Sequence, residues 1–301
     1  MTSAERARAW SSSRTFHHSQ FPPERLAAER TRSVSVCVPA RNEERTVGTI
    51  VSDLVRLREL GAVDEVVVID GGSSDGTVAI AEAAGATVYQ EAELMPEYGE
   101  VLGKGDAMWR ALSVLEGEAI VYLDADSEGF GPHYACGLAG PLVCGDSGVE
   151  FVKAFYRRPF KLGEVSLPEG GGRVTELTAR PLLGVFYPEL AAFRQPLSGE
   201  LAATRDLLTR LTFATGYAVE IAMLIDAWKE VGLDALAQVD IELRQNRHQP
   251  LSDLSPMADA VLRAVCVRLE REGRLDELEG EELVERPPLI RTAPPPQRSR
   301  R

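Results

Sequence analysis

Two carboxylates flank a single spacer in Asp124-Ala125-Asp126, directly after the apolar run AIVYL. At a strand end such a pair can hold a hard divalent cation and bridge it to a diphosphate. Mg²⁺ prefers one or two carboxylates plus phosphate oxygens and water to an all-protein cage. The same residue types also build ordinary turns, where aspartate is common. Upstream, Lys104 sits between glycines in Gly103-Lys104-Gly105-Asp106-Ala107. An ammonium there can neutralise a departing diphosphate, or simply lie solvated at a helix start.

Two more polar segments follow short β-branched runs. Asp70-Gly71-Gly72-Ser73-Ser74-Asp75-Gly76-Thr77 ends a strand, permits close backbone approach at its glycines and offers side chains to cap the next helix. A helix N-terminus attracts phosphate, although a plain capped turn uses the same residues. The spacing matches neither a P-loop nor the GxGxxG dinucleotide signature, which argues against a kinase or a dehydrogenase. Pro39-Ala40-Arg41-Asn42-Glu43-Glu44 can hold a base and ribose through Asn42 and Glu43, or cap a helix.

The second half carries a different signal. Lys153, Arg157, Arg158 and Lys161 precede Gly170-Gly171-Gly172-Arg173-Val174-Thr175-Glu176, and Arg180 follows. Glycines expose backbone N–H groups and arginine offers a two-pronged fork, so this stretch reads as an anion pocket, with a cation-bearing surface loop as the plainer alternative. Glu220 opens an apolar helical stretch, and Arg244 to Pro250 (RQNRHQP) is a polar segment that holds His248.

The elements that position these groups alternate along the chain. Ser33–Val38 is a strand stopping at Pro39, and 44–60 repeats apolar residues at helical spacing up to Gly61. Val66–Ile69 is a second strand, a helix runs to Ala84, and Ala86–Tyr89 is a third strand. Lys104–Glu116 is a helix and Ala119–Leu123 a fourth strand; Ala237–Leu243 is strand-like. That rhythm predicts an α/β fold, a mostly parallel central sheet with helices on both faces. Ligands in such sheets bind beyond the carboxyl ends of the strands, which brings the segments after Pro39, Asp70 and Asp124 to one rim.

Composition bounds the rest. A formal net charge of -13 excludes a general nucleic-acid binder and adhesion to anionic membranes. No run approaches the roughly 18 apolar residues needed to span a bilayer. Cys37, Cys136, Cys144 and Cys266 lack CxxC spacing and read as reduced thiols of a cytoplasmic protein, rather than as a zinc site with His133. Residues 1–30 read as a flexible arm in which His17 and His18 have no metal role. Residues 31–150 read as a nucleotide-sugar half, 151–284 as an acceptor half, and the proline-rich 285–301 as a disordered tail.

Together the motifs resemble the retaining GT-A glycosyltransferases that make glucosyl-3-phosphoglycerate and mannosyl-3-phosphoglycerate. The resemblance spans about 33–264 and rests on GKGDAMWRAL, VKAFYRRP, GGGRVTELTARPLL, PELAAFRQPLSGELAATRDLL and GYAVEIAMLIDA. It implies a Rossmann-like GT-A fold and transfer of a hexose from a nucleotide sugar to D-3-phosphoglycerate, as a precursor of glucosylglycerate-type or mannosylglycerate-type solutes. It further implies Mg²⁺ or Mn²⁺ and a homodimer. Carried over by motif, Pro39, Ala40, Arg41, Asn42, Glu43, Asp70 and Gly71 contact the nucleoside, Lys104 the diphosphate, and Asp124, Ala125, Asp126 and Arg244 the donor. Asp124, Asp126 and His248 serve the metal. Gly172, Arg173, Thr175 and His248 seat the acceptor, and Glu220 faces the donor sugar, with Asp126, Lys104 and Glu220 as the catalytic set.

The sequence departs from the glucosyl enzymes at two places. They carry a His-Arg-Asn order before Pro250, whereas this chain reads Asn246-Arg247-His248. Either His248 reaches the metal from two residues along, or Asn246 stands in its place. DADSEGF also differs from their DSDL type. Both departures touch the donor region and favour GDP-mannose, with UDP- or GDP-glucose admitted. Retention with no self-evident nucleophile favours front-face displacement, with Glu220 as environment. The competing readings are a sugar transferase to a polyprenyl phosphate and a nucleotide-sugar-binding regulator.

Overall fold

A computed structural model of the chain describes residues 1–158, 160–162, 165–167, 172–244, 251–275 and 284–291. The chain opens with α1 (Ser3–Ser13), β1 (Thr15–His17) and α2 (Pro23–Glu29). The nucleotide-sugar half follows as β2 (Val34–Ala40), α3 (Val47–Leu60), β3 (Glu65–Asp70), α4 (Thr77–Ala83), β4 (Thr87–Gln90), α5 (Lys104–Ala111), β5 (Ala119–Tyr122) and α6 (His133–Val143). Then come β6 (Phe151–Arg157), the short antiparallel pair β7 (Phe160–Leu162) and β8 (Val165–Leu167), and α7 (Arg180–Phe186). The remainder is β9 (Leu201–Thr204), α8 (Arg205–Arg210), β10 (Phe213–Ala214), α9 (Val219–Val231), β11 (Leu236–Leu243), α10 (Leu251–Arg271) and β12 (Glu285–Arg286).

Eight strands form one sheet in the order β1-β11-β6-β9-β5-β2-β3-β4. Neighbours run parallel except β9, which is antiparallel to both β5 and β6. The sheet is apolar on both sides because helices cover both. In β3, Val67 and Ile69 pack into one core layer while Val66 and Val68 pack into the other, the period of two that a doubly covered strand requires. The boundary expected near residue 150 falls inside this sheet, since β6, β9 and β11 complete what β2 to β5 begin.

Both termini differ from expectation. The N-terminal arm is folded: Thr2 and Glu5 form a capping box, and Trp10 is buried with its indole N–H on the Leu236 carbonyl at 2.7 Å. The abundant Arg and Ser face solvent, which is why composition alone suggests a loose arm. At the other end, Glu285–Arg286 pairs antiparallel with Phe213–Ala214, and the Pro287 carbonyl accepts a hydrogen bond from the Trp109 indole at 2.9 Å. The tail expected to be disordered from residue 285 therefore begins as packed structure, held by one buried arginine that a proline-rich composition hides. β2 also continues past Pro39 to Ala40, where the missing proline N–H is tolerated opposite Ile69.

Candidate active site

The carboxyl ends of β2, β3 and β5 lie side by side in the sheet, and their following segments are laced together. The Asp70 carboxylate accepts from the N–H groups of Gly72 and Ser73 at 3.1 and 3.0 Å. Asn42, in the left-handed region at φ 57°, accepts from Ser74 N–H at 2.9 Å, while its own N–H donates to Ser73 Oγ at 2.8 Å. Asparagine tolerates that conformation because its short side chain bonds locally. Glu43 N–H donates to Thr77 Oγ1 at 2.8 Å, and Thr46 Oγ1 donates to the Ala125 carbonyl at 2.6 Å. Arg41 and Glu91 flank Gly71, where any Cβ would lie 3.2 Å from Glu91 Oε2 and 3.4 Å from Arg41 Cβ. Glu91 is an addition to the predicted set: burial pushes its carboxyl up to about 7.

The centre is a charge cluster at the end of β5. Lys104, first residue of α5, pairs with Asp124 and, at 3.0 Å, with Glu220 in the first turn of α9. Burial disfavours the ammonium, but the two carboxylates more than offset it and hold its pKa well above the lysine range. The glycines around Lys104 are structural requirements. A Cβ on Gly105 would sit 1.9 Å from the Ala214 carbonyl oxygen, so only glycine lets α5 close on β10.

Arg244 completes the cluster from beyond β11. Its guanidinium, 1% exposed, donates from Nη2 to Asp124 Oδ2 at 2.9 Å and Asp126 Oδ1 at 2.8 Å. The other nitrogens reach Ser127 Oγ at 2.9 Å and Tyr156 Oη at 3.0 Å, and Glu200 Oε1 lies 2.9 Å from Nε. Burial opposes ionisation of Asp124, yet Lys104 and Arg244 keep it well below the usual carboxylate range. Asp124 is thus a strut between two cations. Asp126 is 44% exposed at its side chain and lines a cleft of about 520 Å³ with Glu43, Thr46, Ser127 and Glu128.

Three further residues stand beside the charge cluster. Glu200, on the segment entering β9, is wholly buried, and burial pushes its carboxyl up. Lys153 faces the interior from β6 with no hydrogen-bond partner among the described residues, and burial pushes its ammonium down to about 8. In the sequence it belongs to a basic run; it is buried because it lies within β6, which is covered on both faces, whereas Arg157 is exposed at the strand's end. Gly199 backs the Lys104–Asp124 pair, since a Cβ there would come within 2.4 Å of both Lys104 Nζ and Asp124 Oδ2.

The anion segment is partly described. Gly172 has φ 76°, and a continuous helical run starts at Arg173, passing through a π-helical Thr175–Ala179 into α7. Thr175 is buried, and its Oγ1 would lie 3.9 Å from a Cβ on Gly172. A helix start preceded by glycine and bearing an arginine is a ready anion seat. Gly170, Gly171, Asn246 and His248 lie outside the described residues.

Comparison with known proteins decides the family. The model named Glycosyl transferase family 2 matches residues 35–129. The glucosyl-3-phosphoglycerate synthase of Petrotoga mobilis is 44% identical over 269 residues, covering 87% of this chain and 82% of the relative. The chain belongs to the glucosyl-3-phosphoglycerate synthase family. Among solved structures, the mannosyl-3-phosphoglycerate synthase from Rubrobacter xylanophilus is 46% identical with a TM-score of 0.87, over 94% of this chain and 98% of that one. Mycobacterium tuberculosis glucosyl-3-phosphoglycerate synthase, in complex with Mn²⁺, UDP-glucose and phosphoglyceric acid, is 41% identical with a TM-score of 0.77, over 89% and 93%. The GT-A fold of these synthases is the fold of this chain.

Does this member of the synthase family fit a divalent metal? Asp126 faces the cleft with carboxylate neighbours Glu43 and Glu128 on the same wall. An all-oxygen set with few protein ligands suits Mg²⁺ or Mn²⁺ completed by phosphate oxygens. Asp124 has both oxygens engaged, one by Lys104 and one by Arg244. The residues fit the ion.

Proposed function

We propose that this chain is a retaining hexosyltransferase that moves a sugar from a nucleotide sugar to D-3-phosphoglycerate. The observation that carries this is Asp124 gripped between Lys104 and Arg244 while Asp126 faces the cleft. Cations fixed before the donor arrives need no reorganisation when charge develops on the leaving diphosphate, the condition for strong electrostatic stabilisation. Asp126, with His248 or Asn246 as the further ligand, would hold a divalent ion, which would supply Lewis-acid charge toward the diphosphate. Lys104 delivers its ammonium to the diphosphate. Pro39 to Glu43, Asp70 and Gly71 hold the nucleoside. Arg173, Thr175 and the backbone N–H groups after Gly172 grip the acceptor's anionic groups and so present its hydroxyl to the donor.

Glu220 lies 3.0 Å from Lys104 Nζ. A carboxylate spent in an ion pair is a poor nucleophile, which favours front-face displacement with the acceptor hydroxyl entering beside the leaving group. Trapping a glycosyl adduct on Glu220 would refute this route.

The donor in this proposal is GDP-mannose, with glucose donors admitted, supported by the DADSEGF and Asn246-Arg247-His248 departures. A cytoplasmic homodimer completes the proposal. Its support is the family resemblance and four unpaired thiols at Cys37, Cys136, Cys144 and Cys266.

The test is product formation from the purified full chain, D-3-phosphoglycerate and Mg²⁺, with GDP-mannose, GDP-glucose and UDP-glucose offered separately and EDTA controls. A metal-dependent hexosyl-3-phosphoglycerate is expected, fastest from GDP-mannose. Nucleotide binding without product from any donor would overturn the proposal.

A further inference from the structure

Three of the four histidines, His17, His18 and His133, meet away from the charge cluster at Lys104. His17 closes β1, His18 begins the next turn and His133 opens α6. Their rings lie tilted against one another at centroid distances of 4.4 Å (His17–His18) and 4.6 Å (His18–His133). Glu242 of β11 joins them, with Oε1 at 3.6 Å from His17 Nε2 and 3.3 Å from His18 Nε2. One donor atom from each of His17, His18 and Glu242 lies within 4.8 Å of the other two.

The two separations from Glu242 are close to what a tetrahedral metal imposes. Bonds of about 2.0–2.1 Å put tetrahedral ligands roughly 3.3–3.4 Å apart. Without a metal, Glu242 pairs with both rings, yet the pairing is imperfect at one of them. His18 Nε2 is sealed from solvent without a well-formed hydrogen bond, a state that costs free energy for a polar atom. A cation would satisfy that lone pair. Without a metal, His17 Nδ1 accepts from the Ser19 N–H at 3.2 Å; Ser19 Oγ, 2.8 Å from the same atom, can take a proton there when a metal holds Nε2. The backbone also delivers the carboxylate. Glu242 adopts φ 69° at a register shift between Asp240 and Leu243, its N–H tied to Asp240 Oδ1 at 2.8 Å. The side chains of His17 and Glu242 are 44% and 54% exposed, so water can complete the coordination.

We propose that His17, His18 and Glu242 form a binding site for a late first-row divalent cation, with zinc as the best match. Two imidazoles and one carboxylate suit zinc, cobalt or nickel over magnesium. The site ties the N-terminal arm to β11 two residues before Arg244, so occupancy would stiffen the strand that delivers the guanidinium to Asp124 and Asp126.

The test uses the full chain, stripped with EDTA, desalted, reloaded with zinc chloride and desalted again, with zinc counted by mass spectrometry. His17→Ala and Glu242→Gln alter exposed ligands, and Asp126→Asn disables the catalytic cleft. Wild type and Asp126→Asn should each keep one zinc per chain, and the other two variants at least tenfold less. Zinc, but not magnesium, should raise the Tm of wild type and leave that of Glu242→Gln unmoved. Zinc retained equally by all four chains, lost only from Asp126→Asn, or retained by none would overturn the proposal.

Discussion

Arg286 closes on Asp106 with a two-pronged ion pair, Nε on Oδ1 and Nη2 on Oδ2, both at 2.7 Å. Asp106 is fully buried two residues after Lys104, and Arg286 comes from β12 at the far end of the chain. The same guanidinium donates to the Tyr98 carbonyl at 2.8 Å, and Asp106 also accepts from Leu102 N–H at 2.9 Å. The pair therefore anchors the turn that presents Lys104.

Arg286→Ala should cost about 3 kcal/mol, because removing one partner of a buried pair leaves charge uncompensated. Arg110 Nε, 3.2 Å from Asp106, limits the damage. A fall in Tm of several degrees and a lower kcat/KM are expected. An unchanged melting curve would mean that the ion pair contributes nothing net.

Gly199→Ala probes the back wall of the cluster. The new Cβ would sit within 2.4 Å of Lys104 Nζ and Asp124 Oδ2, so the ion pair must part while the surrounding core stays as it is. The expected result is a loss of at least tenfold in kcat/KM with Tm nearly unchanged. Unimpaired turnover would show that the Lys104–Asp124 contact is dispensable for catalysis.

Asp126→Asn separates metal binding from folding. The side chain is 44% exposed, so little stability rests on it, whereas the cleft loses its forward carboxylate. Activity should fall by about 100-fold or more and respond weakly to added Mg²⁺ or Mn²⁺, with Tm within a few degrees of wild type. Retained metal-dependent turnover would move the ion to Glu43 or Glu128.

The rim at Asp70, Lys104 and Asp124 was legible because it depends on strand rhythm and short motifs, which a sequence displays directly. Glu200 and Arg244 form their contact at 2.9 Å through the insertion of antiparallel β9, a long-range pairing that no local period announces. Lys153 looks like its basic neighbours until its strand is covered on both faces by the rest of the fold, leaving only the strand's end at Arg157 exposed. Trp10 and Arg286 lie in segments whose polar or proline-rich composition masks single anchoring side chains. The His17–His18–Glu242 cluster needs the β1–β11 pairing to exist at all.

Lys153 makes the sharpest pH prediction. Its side chain is fully buried without a hydrogen-bond partner among the described residues, and burial lowers its pKa from 10.5 to about 8, with Glu220 opposing and Lys104 reinforcing the shift. Between those two values the unfolded chain keeps a proton that the folded chain has released, so stability rises with pH there. Below about pH 8 both states are protonated and the folded state bears the full penalty, on the order of 3 kcal/mol. Lys153→Met removes the charge at similar volume, so the variant should be more stable than wild type at pH 7 by about 1–3 kcal/mol. Denaturant melts at pH 7 and pH 10 check the sign: the advantage should shrink as wild-type Lys153 loses its proton. Turnover should fall in the same variant, because the ammonium sits among Glu220, Glu200, Lys104 and Asp124. A variant less stable than wild type at pH 7 would mean that the folded protein holds this ammonium favourably, and the predicted pH slope would vanish with it.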